Sequence, residues 1–231
     1  MNTAEEQHTG QSDTLPGLFG RYIRVFTAPD SLFQGLRSRP DWAGAIFLGA
    51  GLVAAGTALI PPDLLLATLR ETLQAQGQPV PPGLEDLGSM IGFGGAAAAF
   101  VFWPLVTAFY AGLVMLFFAI LLGHEGTYRQ YLAVVAHAQL IAATSGILLA
   151  PLRIVMEDAQ LLLSLGTFAI FLEPSYILRF LSSLDLFGLW AWVLVGLGAA
   201  RVGRKKSWAF GCVAVLMIPA ARAAVLAIFR G

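Results

Sequence analysis

The sequence predicts an all-α fold: a polytopic transmembrane helical bundle of five spans, N-terminus cytoplasmic and C-terminus outside, with interfacial amphipathic helices. Three observations carry that prediction: an apolar composition, five long stretches almost free of charge, and cations gathered on one side of those stretches. Hydrophobic residues make up 57% of the 231 and charged residues only 12%, against about 45–50% and about 25% in ordinary soluble domains. No separate soluble catalytic domain fits in what remains. Lys plus Arg equals Asp plus Glu at 14 each, so no basic field argues for nucleic acid. The lone Cys212 excludes an internal disulfide and a Cys-rich metal site. The first 20 residues lack a basic start followed by an apolar core, so no cleavable signal peptide is expected.

A helix needs about 20 apolar residues to cross hydrocarbon. The stretches 43–60, 87–123, 130–152, 186–200 and 207–229 qualify, and they place the spans at 43–60, 95–122, 130–151, 184–200 and 207–229. Pro61 and Pro62 end the first; Pro104 lies inside the second and is expected to kink it. The fourth is short and borrows 181–184, which puts Asp185 at the headgroup boundary. Arg222 in the fifth lies near the end of its span, where a long stem can snorkel to the interface. The apolar piece 159–172 would form only about 21 Å of helix at about 1.5 Å per residue, too short to span untilted.

The orientation follows from the excess of Lys and Arg in cytoplasmic loops. With the N-terminus inside, Arg21, Arg24, Arg37, Arg39, Arg129, Arg201, Arg204, Lys205 and Lys206 are all cytoplasmic, nine of the 14 cations. A sixth span at 159–172 would push the cluster 201–206 outside, so 159–184 reads as two short outer helices broken at Glu173-Pro174. The outer connection 61–86 reads as a loop stiffened by Pro and Gly at 77–83.

Ahead of the first span, residues 1–14 read as a disordered polar tail and 15–40 as helices on the cytoplasmic face, with 41–231 forming the membrane domain. Phe19, Tyr22, Ile23 and Phe26 recur at helical spacing with Arg21 and Arg24 opposite, the pattern of a helix lying on a membrane. After Pro29, Asp30 or Ser31 can cap a second short helix that ends in Arg37 and Arg39. Arg21, Arg24, Arg37 and Arg39 are the expected contacts with the membrane surface.

Candidate chemistry is sparse. His124-Glu125 begins a metalloprotease-like motif, but position 128 is Tyr where the second His is needed. Ala143 to Gly146 resembles a serine nucleophile site, yet its first residue is Ala and no base is in reach on another helix. No catalytic residue, metal site or cofactor is therefore expected. His137, Gln139 and Thr144 in the third span form a candidate intramembrane polar site, because an ionisable group at membrane depth is a functional candidate by default. Dense small residues in spans one, two and four allow close helix packing.

Four places resemble the YIP-domain family, five-span membrane proteins first named for interacting with Ypt and Rab GTPases. They are Phe26, Pro29 and Phe33 followed by Trp42; 123–130 (Gly-His-Glu-Gly-Thr-Tyr-Arg-Gln); 185–190 (Asp-Leu-Phe-Gly-Leu-Trp); and the basic turn into the last span. The resemblance covers roughly residues 20 to 230 and implies a prokaryotic member in the plasma (inner) membrane. Asp185, Phe187 and Trp190 are its candidate structural motif residues, Asp185 as the cap of span four. The Asp-Leu-Tyr-Gly-Pro signature of Golgi members is absent ahead of span one, so Rab-type GTPase binding is not carried over.

The function expected is non-enzymatic: organising membrane or scaffolding a partner. The partners expected are the lipid bilayer and either another membrane protein or a second copy of the chain. The alternative is a small-solute or lipid transporter with a polar site around His137.

Overall fold

The computed structural model describes residues 15–169, 171–204 and 208–229. The polar tail 1–14 and Lys205 and Lys206 of the basic turn lie outside the described residues. The fold is all-helical, as the composition requires. Its helices are α1 (Leu18–Thr27), α2 (Pro29–Ser38), α3 (Ala43–Ala58), α4 (Pro62–Ala75), α5 (Gly88–Met115), α6 (Tyr128–Ala138), α7 (Leu140–Val155), α8 (Tyr176–Ser182), α9 (Leu186–Val202) and α10 (Trp208–Phe229).

Among the described residues three helical stretches are long and apolar enough to cross a membrane: Met90–Ile120, Tyr128–Val155 and Gly211–Ile228. The pair α3 and α4 passes the same test jointly but is bent by 88°, and α9 is a shorter apolar helix. Among the described residues three helices, or four units with the bent pair as one, are thus long and apolar enough to cross, and each overlaps a stretch found in the sequence, as does the shorter α9. The bend after α3 falls at Pro61, whose ring cannot continue the helix, while Pro62 at the first position of α4 is pre-set for a helical φ. Residues expected as a loop from 61 onward are thus a 14-residue helix, started by a proline pair that reads as a stop.

α5 continues through Pro104 without a break in the helix and ends in a π-helical turn, Leu116–Leu121. Gly123, at φ 61°, supplies the left-handed residue that ends it. α6 and α7 are one span, jogged at Gln139. Thr127 caps α6 in a reciprocal box with Gln130, as its place after a tight turn requires.

The span formed by α6 and α7 is the axis of the bundle, 72% buried against 17% for the Met90–Ile120 helix. α3 packs on α5 and α7, α9 on α6, α7 and α10, and α2 on α9. Two contacts depend on glycine. A Cβ on Gly56 would lie 2.9 Å from the carbonyl carbon of Gly146 in α7, and one on Gly196 would lie 2.5 Å from Cys212 Cα in α10. Association without a hydrophobic drive between helices depends on such close approach.

The segment between α7 and α9 corrects the expectation of two short helices. Its first half is extended with a single 3-10 turn, Leu165–Phe168; only the second half, α8, is an α-helix. Its ends are fastened together: Leu165 N donates to Leu184 O at 3.0 Å and Leu186 N to Leu163 O at 2.9 Å, around the bridge between Ser164 and Asp185. A segment closed at its base does not make a single crossing.

Replacing Gly196 with Val is expected to overpack the α9–α10 contact and cost about 1–3 kcal/mol, seen as a lower Tm in detergent. Gly51→Ala, with open space around the new methyl, is expected to leave Tm unchanged within about 0.5 kcal/mol.

Candidate functional site: a polar seat for the N-terminal helix

α1 was expected to lie on the surface with its arginines outward. The structure corrects this for Arg21, which is only 6% exposed. Residues 18, 21, 22 and 25 form the inward stripe, while Phe19 and Ile23 remain exposed. Arg21 turns inward because an acid waits for it. Its Nη2 lies 2.9 Å from Asp41 Oδ2, and its Nη1 donates to Asp41 O at 3.1 Å. Two contacts to one residue fix the guanidinium plane and tie α1 to the turn before α3.

The same helix reaches the candidate intramembrane site. Thr144 Oγ1 donates to Leu140 O at 2.7 Å, so the Tyr22 hydroxyl, 3.0 Å away, is the donor of their shared hydrogen bond. His137 is fully buried. Its Nδ1 pairs with Ala133 O at 2.8 Å, which makes Nδ1 the protonated nitrogen and Nε2 a bare acceptor. Nε2 has no hydrogen-bond partner among the described residues. Both Arg21 and Asp41 act electrostatically on the ring. Gln139 is buried at the jog between α6 and α7.

The structure thus joins two groups of residues that the sequence kept apart. Arg21 leaves the membrane-surface set and, with Tyr22 and Asp41, completes a polar seat around His137 and Thr144. Sequence reasoning missed Asp41. The available signal was an acid two residues before the apolar run, which needs a cation at that depth.

Arg24, Arg37 and Arg39 remain exposed at the end of the bundle where α2 meets α6. There Gln130 Nε2 donates to Arg37 O at 2.7 Å. α2 starts at Pro29, not at an Asp30 or Ser31 cap. Asp30 instead pairs with Arg201 Nε at 2.5 Å, an anion in the first turn of α2 facing a cation in the last turn of α9, each favoured by its own helix dipole.

At the other end, Asp185 caps α9 by accepting from Gly188 N at 2.7 Å. The charges of Arg222 and Arg153 both act on it, which gives the arginine of the last span an acid to face. Phe187 packs against the core. Trp190 meets the Phe26 ring edge-on with centroids 5.7 Å apart, so a motif residue of α9 braces α1. Among the described residues no three His, Cys, Asp or Glu side chains gather as a metal-holding group, and the Ser145 hydroxyl donates to Ala142 O at 2.7 Å within its own helix.

The first-span approach, the capped turn into α6, the Asp185 cap and the α9–α10 turn all lie within residues 23–229, which match the family model of the Yip1 domain. The chain belongs to the Yip1 domain family. It is similar to the membrane protein YknW of Bacillus subtilis, 25% identical over 212 residues, which cover 90% of this chain and 89% of that one. No solved structure matches the chain. Within this Yip1 domain, an integral membrane unit, the packed helices α3, α6, α7 and α9 form a frame on which α1 and α2 are seated.

Breaking the seat should be costly. Arg21→Ala leaves Asp41 without its cation, and its expected cost exceeds the roughly 1 kcal/mol of an exposed pair without reaching the top of the roughly 3–5 kcal/mol range for fully buried pairs, because Asp41 is 43% exposed. A double-mutant cycle with Asp41→Asn, read as Tm in detergent, should show strong coupling; additive effects would mean the pair does not hold α1. Asp185→Ala should cost about 1 kcal/mol as a lost cap, read in the same assay.

Proposed function

We propose that this Yip1-domain protein is a non-enzymatic membrane organiser of a prokaryotic plasma (inner) membrane. It crosses five times with its N-terminus cytoplasmic, and uses the α1–α2 pair to engage anionic lipid headgroups and scaffold a partner. The observation that carries this reading is the form of that pair. α1 and α2 are anchored from within by Arg21, Tyr22 and Phe33, yet keep Phe19 and Ile23 exposed beside the exposed cations Arg24, Arg37 and Arg39. Apolar groups next to arginines are the chemistry of a helix held at a headgroup boundary.

The charge distribution supports the orientation. Arg129, Arg201 and Arg204 join those cations at the same end of the bundle, whereas Asp63, Glu71, Asp158 and Glu173 belong to the opposite end. The excess of cations marks the cytoplasmic side. The relative in Bacillus subtilis is a membrane protein, which supports a prokaryotic membrane as the location. The scaffold reading is also favoured by what surrounds His137: the imidazole is enclosed by packed helices, the arrangement of a structural seat.

The test uses the full chain in nanodiscs of graded anionic lipid content, with retained lipids counted by native mass spectrometry. Replacing Arg24, Arg37 and Arg39 together with Gln is expected to weaken anionic-lipid retention by about 1 kcal/mol per charge. Arg21→Gln should lower Tm and leave lipid preference unchanged. Unaltered anionic preference in the triple variant would sink the reading. The orientation is checked separately, by labelling single cysteines at positions 37 and 173 in intact cells: only 173 should react with an impermeant reagent.

A further inference from the structure

At the end of the bundle away from α2, α8 packs against the last span. Tyr176 Oη donates to Ala224 O at 3.1 Å, and Ala224 belongs to Gly211–Ile228, a stretch long and apolar enough to cross a membrane. α8 is therefore held at the membrane boundary. The face that α10 leaves uncovered is a hydrocarbon-facing stripe, with Val213, Met217, Val225 and Ile228 exposed at helical spacing. Ile177 of α8, next to Tyr176, is exposed as well.

Arg222 interrupts this apolar surface. It is exposed and precedes Ile228, the end of the apolar stretch, by about 9 Å of helix at about 1.5 Å per residue. A cation at that depth is costly unless its stem carries it to the boundary and an acceptor meets it there. The protein supplies a charge and no acceptor. Arg222 acts electrostatically on Asp185, whose Oδ2 instead accepts from Gly188 N at 2.7 Å, and among the described residues none accepts a hydrogen bond from Arg222. Its fork of N–H donors is left unspent. A second guanidinium stands on α8. Arg179 follows Tyr176 by one turn, about 4.5 Å along the helix, and its enclosed Nε has no hydrogen-bond partner among the described residues.

A ligand matched to this junction brings anionic oxygens at the boundary and hydrocarbon below them. The planar fork of arginine fits phosphate oxygens in that way. We propose that the junction of α8 and α10 binds one phospholipid of the leaflet away from α2. Its phosphodiester oxygens accept from Arg222 and Arg179, and an acyl chain runs down Val225 and Met217 beside Ile177. The site lies in the opposite leaflet from Arg24, Arg37 and Arg39 and is independent of the headgroup contacts assigned to them.

The experiment is native mass spectrometry of the full-length protein in mild detergent, titrated with phosphatidylglycerol. Arg24→Gln, Arg37→Gln and Arg39→Gln are present throughout, so that the cations of the other leaflet do not contribute. Diacylglycerol with the same chains and inorganic phosphate run as separate arms. Saturable retention of one phosphatidylglycerol per chain is the result expected, with diacylglycerol held far more weakly and the lipid not displaced by inorganic phosphate. Arg222→Gln and Arg179→Gln should each weaken retention about tenfold with Tm unchanged, and Arg222→Lys, which keeps the charge, should recover part of the loss. The proposal is overturned by no saturable retention of phosphatidylglycerol, by equal retention of diacylglycerol, by phosphate displacing the lipid, or by unchanged retention in either Gln variant.

Discussion

A helix enclosed on all sides within a membrane bundle must satisfy its backbone internally, and each polar side chain it buries is costly unless a partner is drawn to it. In this protein that constraint falls on the α6–α7 span, and the rest of the structure follows from how it is met. Tyr131, His137, Leu140 and Ile141 are fully buried. The hydroxyls of Thr144 and Ser145 return to their own helix. α1 adds one hydrogen bond to this span, from the Tyr22 hydroxyl to Thr144 Oγ1, and brings the Arg21–Asp41 pair within electrostatic reach of His137, while His137 Nε2 and the Tyr131 hydroxyl have no partner among the described residues. The N-terminal helices are therefore part of the bundle, although the chain could cross the membrane without them.

The spans were legible because hydrocarbon imposes a length and a composition that few other segments share. The local stops and starts were legible where one residue type has one use: Thr127 before Tyr128 and Asp185 before Leu186 cap their helices as their positions demand. The orientation of α1 was not, because two stripes compete at the same helical period. Phe19, Tyr22, Ile23 and Phe26 form the more apolar one, but the protein turns 18, 21, 22 and 25 inward, burying Arg21 and Val25 while Phe19 and Ile23 stay exposed. The arginine in the second stripe disqualifies it locally, and only Asp41, 20 residues away, requalifies it. A pair distant in sequence leaves no periodic trace.

α4 and the segment after α7 were misread for a different reason. Pro61-Pro62 looks like an end to helix, and it is one for α3; the second proline also begins the next helix, since it occupies a position whose N–H has no intrahelical partner in any case. Residues 159–168 have the apolar content of a helix, but Ser164 is drawn into a bridge with Asp185, a long-range pairing that overrides local propensity. Of the candidate site, His137 and Thr144 were visible as polar residues at membrane depth, while Asp41 was not, because it stands outside the apolar run that defines a span.

The closed base of the segment between α7 and α9 has a consequence for how this protein can change. Because Leu163 and Leu165 are fastened to Leu184 and Leu186, everything between them is an excursion whose length does not alter the separation of the two spans it joins. Residues can be gained or lost at its far tip, around Glu173, without shifting the register of the membrane helices. Evolution can thus remodel one face of this protein, and an experimenter can graft an epitope or fluorophore there, while the buried frame is left as it is.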